Sequence, residues 1–214
     1  MRDMRTTRTW KTSMATAVCA ILAASAAYAA NVPDTTSRIT LAEASRLTLK
    51  GKSTMHDFSS TATRLQLAVE VADTLGSGDS ALARLAAPGA VKSIVLTIPV
   101  DGMKSEKDGL DKNMYKALKA ATNPNIVFRL RSASAAAAPG EFRVEGELEV
   151  AGQRQPIDMN VRASEAPEGI VLEGSKALLM SSYGIKPPSM FLGTLKTNDQ
   201  VVIDFRLVLT NNGF

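Results

Sequence analysis

The stretch Glu141–Val150, EFRVEGELEV, decides the fold class. Apolar residues or glycine occupy every second position from Phe142 to Val150, and charged residues occupy the positions between them. Successive side chains of a β-strand point to opposite faces, so this alternation predicts a strand with one apolar and one charged face. Such strands are typical of antiparallel sheets, because the strands of a parallel sheet are buried on both faces.

Seven other segments complete a predicted set of about eight strands. Val201–Thr210 shows the same alternation, with apolar residues at every odd position from Val201 to Leu209. The other six segments, of which the last two alternate more weakly, are Leu65–Val71, Ile94–Val100, Ile126–Arg131, Ile157–Arg162, Arg46–Ser53 and Ile170–Met180. Residues that favour tight turns lie between consecutive strands, at Ala138–Gly140, Ala151–Gln153, Pro167–Gly169 and Thr197–Asp199.

The two longer connections carry the helical signals. One helical turn is predicted near Ser80–Ala86, within a segment rich in glycine, serine and alanine. A helix is predicted over Asp108–Thr122, where Asp108 or Asp111 can cap the first turn. The sequence therefore predicts an all-β domain with one or two short helices.

One-sided antiparallel strands in this number form either a sandwich of two sheets or a closed barrel. Aromatic residues make up only 5% of the chain, so the inner face of a barrel would be mostly aliphatic. A barrel of about eight strands is either filled by its own side chains or holds one small ligand, and the alternation fits both. The charged outer faces do not match a barrel that faces lipid.

The first 29 residues have the features of a cleaved export signal. Four basic residues lie between Arg2 and Lys11, an uncharged run follows from Ser13 to Ala27, and Ala27-Tyr28-Ala29 provides a cleavage site. The uncharged run is shorter than the ~20 residues of a membrane-spanning helix, and no later segment approaches that length. We expect cleavage after Ala29, which gives a soluble protein in the periplasm, or a secreted one if the source lacks a periplasm.

Removal of this signal changes the net charge and the cysteine content of the chain. The net charge falls from +4 to +1, because four basic residues and one acidic residue are lost. The basic character of the chain therefore gives no support for binding nucleic acid. Cys19, the one cysteine, is lost as well, so disulfides are excluded, and the single histidine cannot build a Cys/His metal site.

Five segments, in order along the chain, resemble the YceI-like family. They are GKSTMHDF at Gly51–Phe58, KS at Lys104-Ser105 with LDKNMYKAL at Leu110–Leu118, NPNIVF at Asn123–Phe128, VEGEL at Val144–Leu148 with Ala151-Gly152, and YGIKPP at Tyr183–Pro188 with GTLKTND at Gly193–Asp199 and Val201. The chain departs from many members at Phe58, where tryptophan is common.

The resemblance implies a lipocalin-like antiparallel barrel over residues 45–214, after a lead-in over residues 30–44. It also implies that an apolar tunnel in the barrel binds a long-chain isoprenoid or a fatty amphiphile. The family has no agreed catalytic residues, and neither a metal nor a cofactor is expected. The partner predicted by this resemblance is thus a long-chain lipid, and the protein is expected not to be an enzyme.

The residues expected to contact the ligand fall into two groups. His56 is expected to make a polar contact with the head group of the ligand, and Phe58 is expected to influence the width of the tunnel. The others are flexible methionines, inward apolar residues and an apolar loop that could close the mouth: Met114, Leu118, Phe128, Leu148, Met159, Met180, Met190 and Phe191.

Two alternatives to a carrier stay open at this level. His56 and Asp57 could form a general base and its orienting carboxylate in a hydrolase. A barrel with a solid core would instead favour a protein-interaction module. The sequence also allows a homodimer, if the edge between the first and last strands is open.

Overall fold

The computed structural model describes residues 39–72, 80–190 and 195–211. These ranges contain the strands β1 (Ile39–Leu41), β2 (Arg46–Ser53), β3 (Asp57–Ala62), β4 (Gln66–Val71), β5 (Val91–Pro99), β6 (Met103–Lys104), β7 (Asn125–Ala135), β8 (Glu141–Val150), β9 (Gln153–Ala166), β10 (Gly169–Leu179), β11 (Ser189–Met190) and β12 (Leu195–Asn211). The helices are α1 (Ala81–Leu85) and α2 (Asp108–Ala117), and two 3-10 turns lie at Val100–Gly102 and Met180–Tyr183. The predicted signal, residues 1–29, lies outside the described residues.

The strands pair antiparallel in the order β4-β5-β7-β8-β9-β10-β12-β2-β3-β6. This series returns to its start, because β4 continues β3 and β6 continues β5 along the chain. The chain is kinked between β3 and β4 and again between β5 and β6. Thr63 of the first kink connects the two, because its backbone N–H and its hydroxyl both donate to the Gly102 carbonyl of the second, each at 2.8 Å. The sheet therefore curls into a barrel of eight long strands, and each overlaps one of the eight predicted segments, which extend one residue beyond the strand in β4, β5 and β10. The predicted fold class is confirmed.

The alternation along each strand separates an apolar inner face from a charged outer face, as expected. In β8 the side chains of Phe142, Val144, Leu148 and Val150 all face the inside. The charged residues of the outer face pair across strands, with Arg129–Glu149 at 3.1 Å, Arg131–Glu147 at 2.8 Å and Arg162–Glu141 at 3.1 Å. The arginines of these pairs are largely exposed and the glutamates partly so, and solvent therefore screens each pair and reduces its contribution to stability.

The predicted turns are correct at three of the four positions. Ala151 and Gly152 both have positive φ, at 52° and 81°, which suits the tight two-residue turn that joins β8 to β9. Thr197–Asp199 was predicted as a turn and is instead part of β12, where the register with β2 shifts between Thr197 and Val201. The Asp199 carboxylate accepts hydrogen bonds from the backbone N–H and the hydroxyl of Ser181, so its polar group is used within a strand.

Both helices lie where they were expected, but α2 is capped differently. Ser80 caps α1, since its hydroxyl accepts from the Ala83 N–H at 3.1 Å. Helix α2 ends at Ala117, short of Thr122, and its N-cap is Lys107, which makes no side-chain capping bond. The expectation that Asp108 or Asp111 caps it was wrong. The Asp111 carboxylate lies within the first turn and binds Ser105 upstream of the helix instead.

The first and last long strands of the barrel, β2 and β12, pair with each other from Arg46–Arg206 to Ser53–Thr197. β1 lies within the predicted lead-in, and Ile39–Leu41 is in register with Leu209–Asn211 of β12. The edge that a homodimer was expected to use is thus occupied within the chain, and the homodimer itself stays a prediction. Among the described residues, no helix is both long enough and apolar enough to cross a membrane.

Candidate ligand-binding tunnel

A cavity of about 1840 Å³ occupies the inside of the barrel. It extends from Leu82 and Leu85 of α1 at one end to Met114 and Leu118 of α2 at the other. With ~3.3 Å per residue and a strand tilt near 40°, the ten residues of β8 span roughly 25 Å along the barrel axis. The cavity is larger than the ~300–1,000 Å³ of most ligand pockets, and it is a tunnel rather than a cleft.

Three cross-strand pairs of glycine and phenylalanine explain why the barrel is hollow. A Cβ built on Gly51 would lie 2.2 Å from the Phe58 ring, one on Gly146 would lie 2.3 Å from the Phe128 ring, and one on Gly174 would lie 2.5 Å from the Phe205 ring. Each ring therefore occupies the space that a side chain at the glycine would need. The rings lie against the wall and leave the centre of the barrel free.

Helix α2 is fixed beside one end of the tunnel by a buried carboxylate. The Asp111 carboxylate accepts from the Ser105 hydroxyl at 2.6 Å and from the Ser105 N–H at 2.8 Å, and Lys104 Nζ lies 3.6 Å away. The hydrogen bonds from Ser105, with the charge of Lys104, lower the pKa of Asp111 from its ordinary value of 3.8. Tyr115 adds a second tie by donating its hydroxyl to the Met103 carbonyl at 2.8 Å.

An apolar cluster packs the chain after β10 against this end of the barrel. Tyr183 and Ile185 are buried there with Leu148 and Val150 of β8, and Leu118 of α2 packs against them. Burial raises the pKa of Tyr183, because the charged phenolate would lose hydration. The cluster positions Tyr183 and Ile185 in the tunnel lining.

Helix α1 covers the opposite end and is held there by one carboxylate. Glu165, near the end of β9, accepts from the Leu82 N–H of α1 at 2.8 Å. Two hydrogen bonds lower the pKa of Glu165 from its ordinary value of 4.5. The larger effect comes from the Leu82 backbone, and the next from the Ser80 side chain. Leu82 and Leu85 line the tunnel, so this contact holds apolar side chains over its end.

His56 lies in the exposed turn between β2 and β3, at the α2 end. Its backbone is fixed by Ser53, whose hydroxyl donates to the His56 carbonyl at 2.7 Å and accepts from the His56 N–H at 3.2 Å. The hydrogen bonds of His56 in the described chain run through its backbone, and none joins its ring to Asp57. The described ranges also bring together no group of three or more metal-binding side chains.

The structure places most of the predicted ligand contacts around this one tunnel. Its lining includes His56, Phe58, Met114, Leu118, Phe128, Leu148, Met159 and Met180. The backbone of Met190 pairs with Leu195 in β11 and β12, and its side chain lies outside the described part. Phe191 lies outside the described residues altogether. The binding roles of these ten residues stay predictions.

Lys176 and Tyr183 are among the lining residues that the sequence analysis did not name as ligand contacts. Lys176 has the same parity in β10 as the inward residues Leu172 and Leu178, so the alternation alone could have placed it on the inner face. Tyr183 follows the end of that strand, and its burial depends on residues distant in sequence. No local pattern indicates that burial.

Solved structures share this architecture. Burkholderia cenocepacia BcnA is 16% identical, and its superposition covers 80% of this chain and 100% of that chain with a TM-score of 0.62. A polyisoprenoid binding domain from Saccharophagus degradans, implicated in plant cell wall breakdown, is 16% identical over 81% of this chain and 98% of that chain, with a TM-score of 0.59. A Campylobacter jejuni YCEI protein is 12% identical over 72% and 85%, with a TM-score of 0.53.

At these identities the likeness shows a common fold. Among curated proteins, none matches the sequence significantly. The model of one protein family does match, over residues 60–209, and its description is the YceI-like domain. This match covers most of the chain, from within β3 to Leu209 in β12. The chain therefore belongs to the YceI-like family.

Proposed function

We propose that the protein is an exported carrier, or a sequestering protein, for a long-chain isoprenoid or fatty amphiphile in the periplasm. The tunnel carries this proposal. It passes through the barrel, has the volume for a long chain, and is lined mainly by aliphatic and aromatic side chains.

The energetics fit a ligand with a long apolar tail. Each buried CH₂ group contributes roughly 0.8 kcal/mol, before the cost of ordering the chain is subtracted. A tail of a few tens of carbons can therefore bind without a charged anchor. Polar groups near the openings then set the orientation of the ligand.

Neither alternative function, the interaction module or the hydrolase, has support from the geometry of the described residues. A solid-core interaction module is contradicted by the cavity of about 1840 Å³. A hydrolase would need His56 to act as a base, and the structure gives this histidine no oriented partner among the described residues. The proposal therefore contains no catalytic step.

The family relationship supports the same ligand class. One neighbour in fold is described as a polyisoprenoid binding domain. Its identity to this chain is 16%, so the shared fold supports a lipid ligand without naming it.

Extraction of the natural ligand tests the proposal. The full chain is expressed with its N-terminus intact, and the protein is recovered from the periplasm. Native mass spectrometry should show a bound mass, and organic extraction should release an apolar molecule with a long chain. Protein that carries no lipid and takes up no apolar fluorescent probe would refute the carrier function.

The same preparation tests export. The mass of the periplasmic protein should correspond to a chain that begins at Ala30. Recovery of the uncleaved chain from the cytoplasm would contradict the proposed location while leaving lipid binding to be judged by the extraction.

A further inference from the structure

The barrel wall is split between β9 and β10 near its α2 end. The ladder between these strands ends at the pair Gly174–Val161. Beyond it, residues 175–179 of β10 stay paired with β12, and residues 153–160 of β9 stay paired with β8. The two segments are not paired with each other in the ladder between β9 and β10. They border an opening that we call the slit.

The sequence helps to keep the slit open. Pro156 lies in the part of β9 that borders it, and proline has no N–H to donate to a neighbouring strand. The far end of the slit is bridged by the Gln155 side chain, which donates from Nε2 to the Ser182 carbonyl at 2.9 Å. The opening is thus a bounded feature of the wall between Gln155 and Val161.

Lys176 brings a positive charge to this opening from the inner face. It is in register with Ile203 of β12, and residues directly opposite each other in a sheet share a face. Gly174 and Leu178 flank it at the same parity of β10, and Leu178 also lines the tunnel. An ammonium group among such residues is costly unless it has an anionic partner.

The present partner of Lys176 is Asp158, and it lies on the outer side of the wall. Asp158 alternates with Ile157 and Met159, which line the tunnel, and its side chain is 62% exposed. The Lys176 ammonium is 3.4 Å from the Asp158 carboxylate, so the lysine side chain reaches from the inner face through the slit. An ion pair this exposed is weak, and the flexible lysine chain can exchange it for another anion.

We infer that the slit is the binding site for the acidic head group of the amphiphile, a phosphate or a carboxylate, and that Lys176 is its cation. This inference rests on the proposed function. The head-group anion replaces the Asp158 carboxylate as the partner of the Lys176 ammonium. The new contact lies on the inner side of the barrel wall, which is less solvated than the outer side. Its attraction is stronger there than that of the exposed pair.

The position of Lys176 leaves room for the tail. From Lys176 to Ile170, on the inner face of the same strand, there are six residues, which at ~3.3 Å per residue is roughly 20 Å of tunnel wall. In the other direction the buried Tyr183 cluster lies close by. A head group at the slit thus directs the tail toward α1.

Competition between two amphiphiles tests the site. Hexadecyl phosphate and hexadecanol carry the same tail, and each is used to displace the uncharged fluorophore N-phenyl-1-naphthylamine from the purified mature protein. Wild type should bind the phosphate about tenfold more tightly than the alcohol, as expected for one charge-assisted contact. Lys176→Met should remove this preference, because only the phosphate loses a charge-assisted contact.

Two further variants sharpen the comparison. Asp158→Asn should lower the Kd of hexadecyl phosphate, because the competing carboxylate is lost. Arg162→Met is the matched control: it removes a cation of the same sheet, from an exposed pair with Glu141, and should leave both Kd values unchanged. Inorganic phosphate should not displace the fluorophore, since it has no tail, and displacement by it would overturn the assignment to a lipid head group.

The outcomes separate the two proposals. If Lys176→Met keeps the wild-type preference for the phosphate, the head-group site is wrong while the carrier function stands. If neither amphiphile displaces the fluorophore from wild type, the carrier function fails and the head-group site fails with it. Circular dichroism of each variant shows whether the barrel has folded.

Discussion

The phenyl ring of Phe58 occupies the space that a side chain at Gly51 would fill. The two residues are direct partners on β3 and β2, and a Cβ at position 51 would be 2.2 Å from the ring carbon Cζ. The ring is thereby held against the wall of the barrel. The width of the tunnel at this point depends on a residue that has no side chain.

Gly51→Ala should narrow the tunnel. The added methyl group pushes the Phe58 ring toward the lumen, and overpacking of this kind typically costs about 1–3 kcal/mol of unfolding free energy. The free energy of unfolding in urea should fall, and the Kd of hexadecanol should rise. The double variant Gly51→Ala/Phe58→Ala should recover binding, because the ring is gone.

Gly109→Ala provides the control for this change. No heavy atom lies within 4 Å of a Cβ at position 109, in the first turn of α2. Alanine is also preferred over glycine inside a helix, so stability should stay equal or rise slightly. If Gly51→Ala behaves like Gly109→Ala in both measurements, the role of the Gly51–Phe58 pair is wrong.

Met159→Trp should block the tunnel near the middle of β9. The indole fills space that the tail of a ligand would occupy, so uptake of N-phenyl-1-naphthylamine should fall at least tenfold. Asn160→Trp is the matched control, because it places the same side chain on the exposed outer face of the same strand. Equal uptake by both variants would show that the ligand does not pass this point.

Asp111 should make stability depend on pH in acid. Its pKa is lowered in the folded protein, so its contribution is fully present above the unfolded value near 3.8 and is lost as the pH falls through the folded value. The free energy of unfolding of wild type should therefore exceed that of Asp111→Asn at neutral pH, with a gap that closes below about pH 4.

Urea titrations at neutral and acid pH check this prediction. Asp108→Asn serves as the control, since it removes a carboxylate from the exposed side of the same helical turn. A gap between wild type and Asp111→Asn that does not change with pH would count against the carboxylate as the anchor of α2.

Glu165→Gln should speed the release of a ligand through the α1 end. The carboxylate accepts the Leu82 N–H and its pKa lies below 4.5, so the contact is intact above that pH and weakens as the pH falls through the lowered value. Stopped-flow dilution should show faster release of the fluorophore from the variant at neutral pH. The wild-type rate should be constant there and rise only in acid.

Glu168→Gln tests whether this effect is specific to α1. Glu168 lies in the nearby turn between β9 and β10 and pairs with Arg206 at 2.9 Å. Its loss should leave the release rate unchanged. The same acceleration in both variants would point to a general weakening of this end of the barrel.

The sequence determined the strands and their inner faces. Eight alternating segments each became one of the eight barrel strands, and the apolar residues of Glu141–Val150 face the tunnel as predicted. This success has a physical basis, because a period of two follows from the geometry of a single strand. Ser80 as the cap of α1 is local in the same sense.

The errors concern side-chain hydrogen bonds to residues outside the helix or strand in question. Asp111 has the composition of a helix cap, but Ser105 of the preceding segment supplies its partners. Thr197–Asp199 has the composition of a turn, yet Ser181 uses the Asp199 carboxylate and the chain continues as a strand. In both cases the carboxylate accepts hydrogen bonds from a residue outside its own helix or strand, and local propensity does not indicate such a partner.

The period of two along each strand assigns a residue to the inner or the outer face, whereas contacts between strands determine whether the interior is filled. Hollowness depends on three phenylalanine rings that lie over glycines of neighbouring strands. Alternation assigns a residue to a face without naming the residue opposite it. Strand register, which the fold as a whole determines, sets those neighbours and so shapes the tunnel.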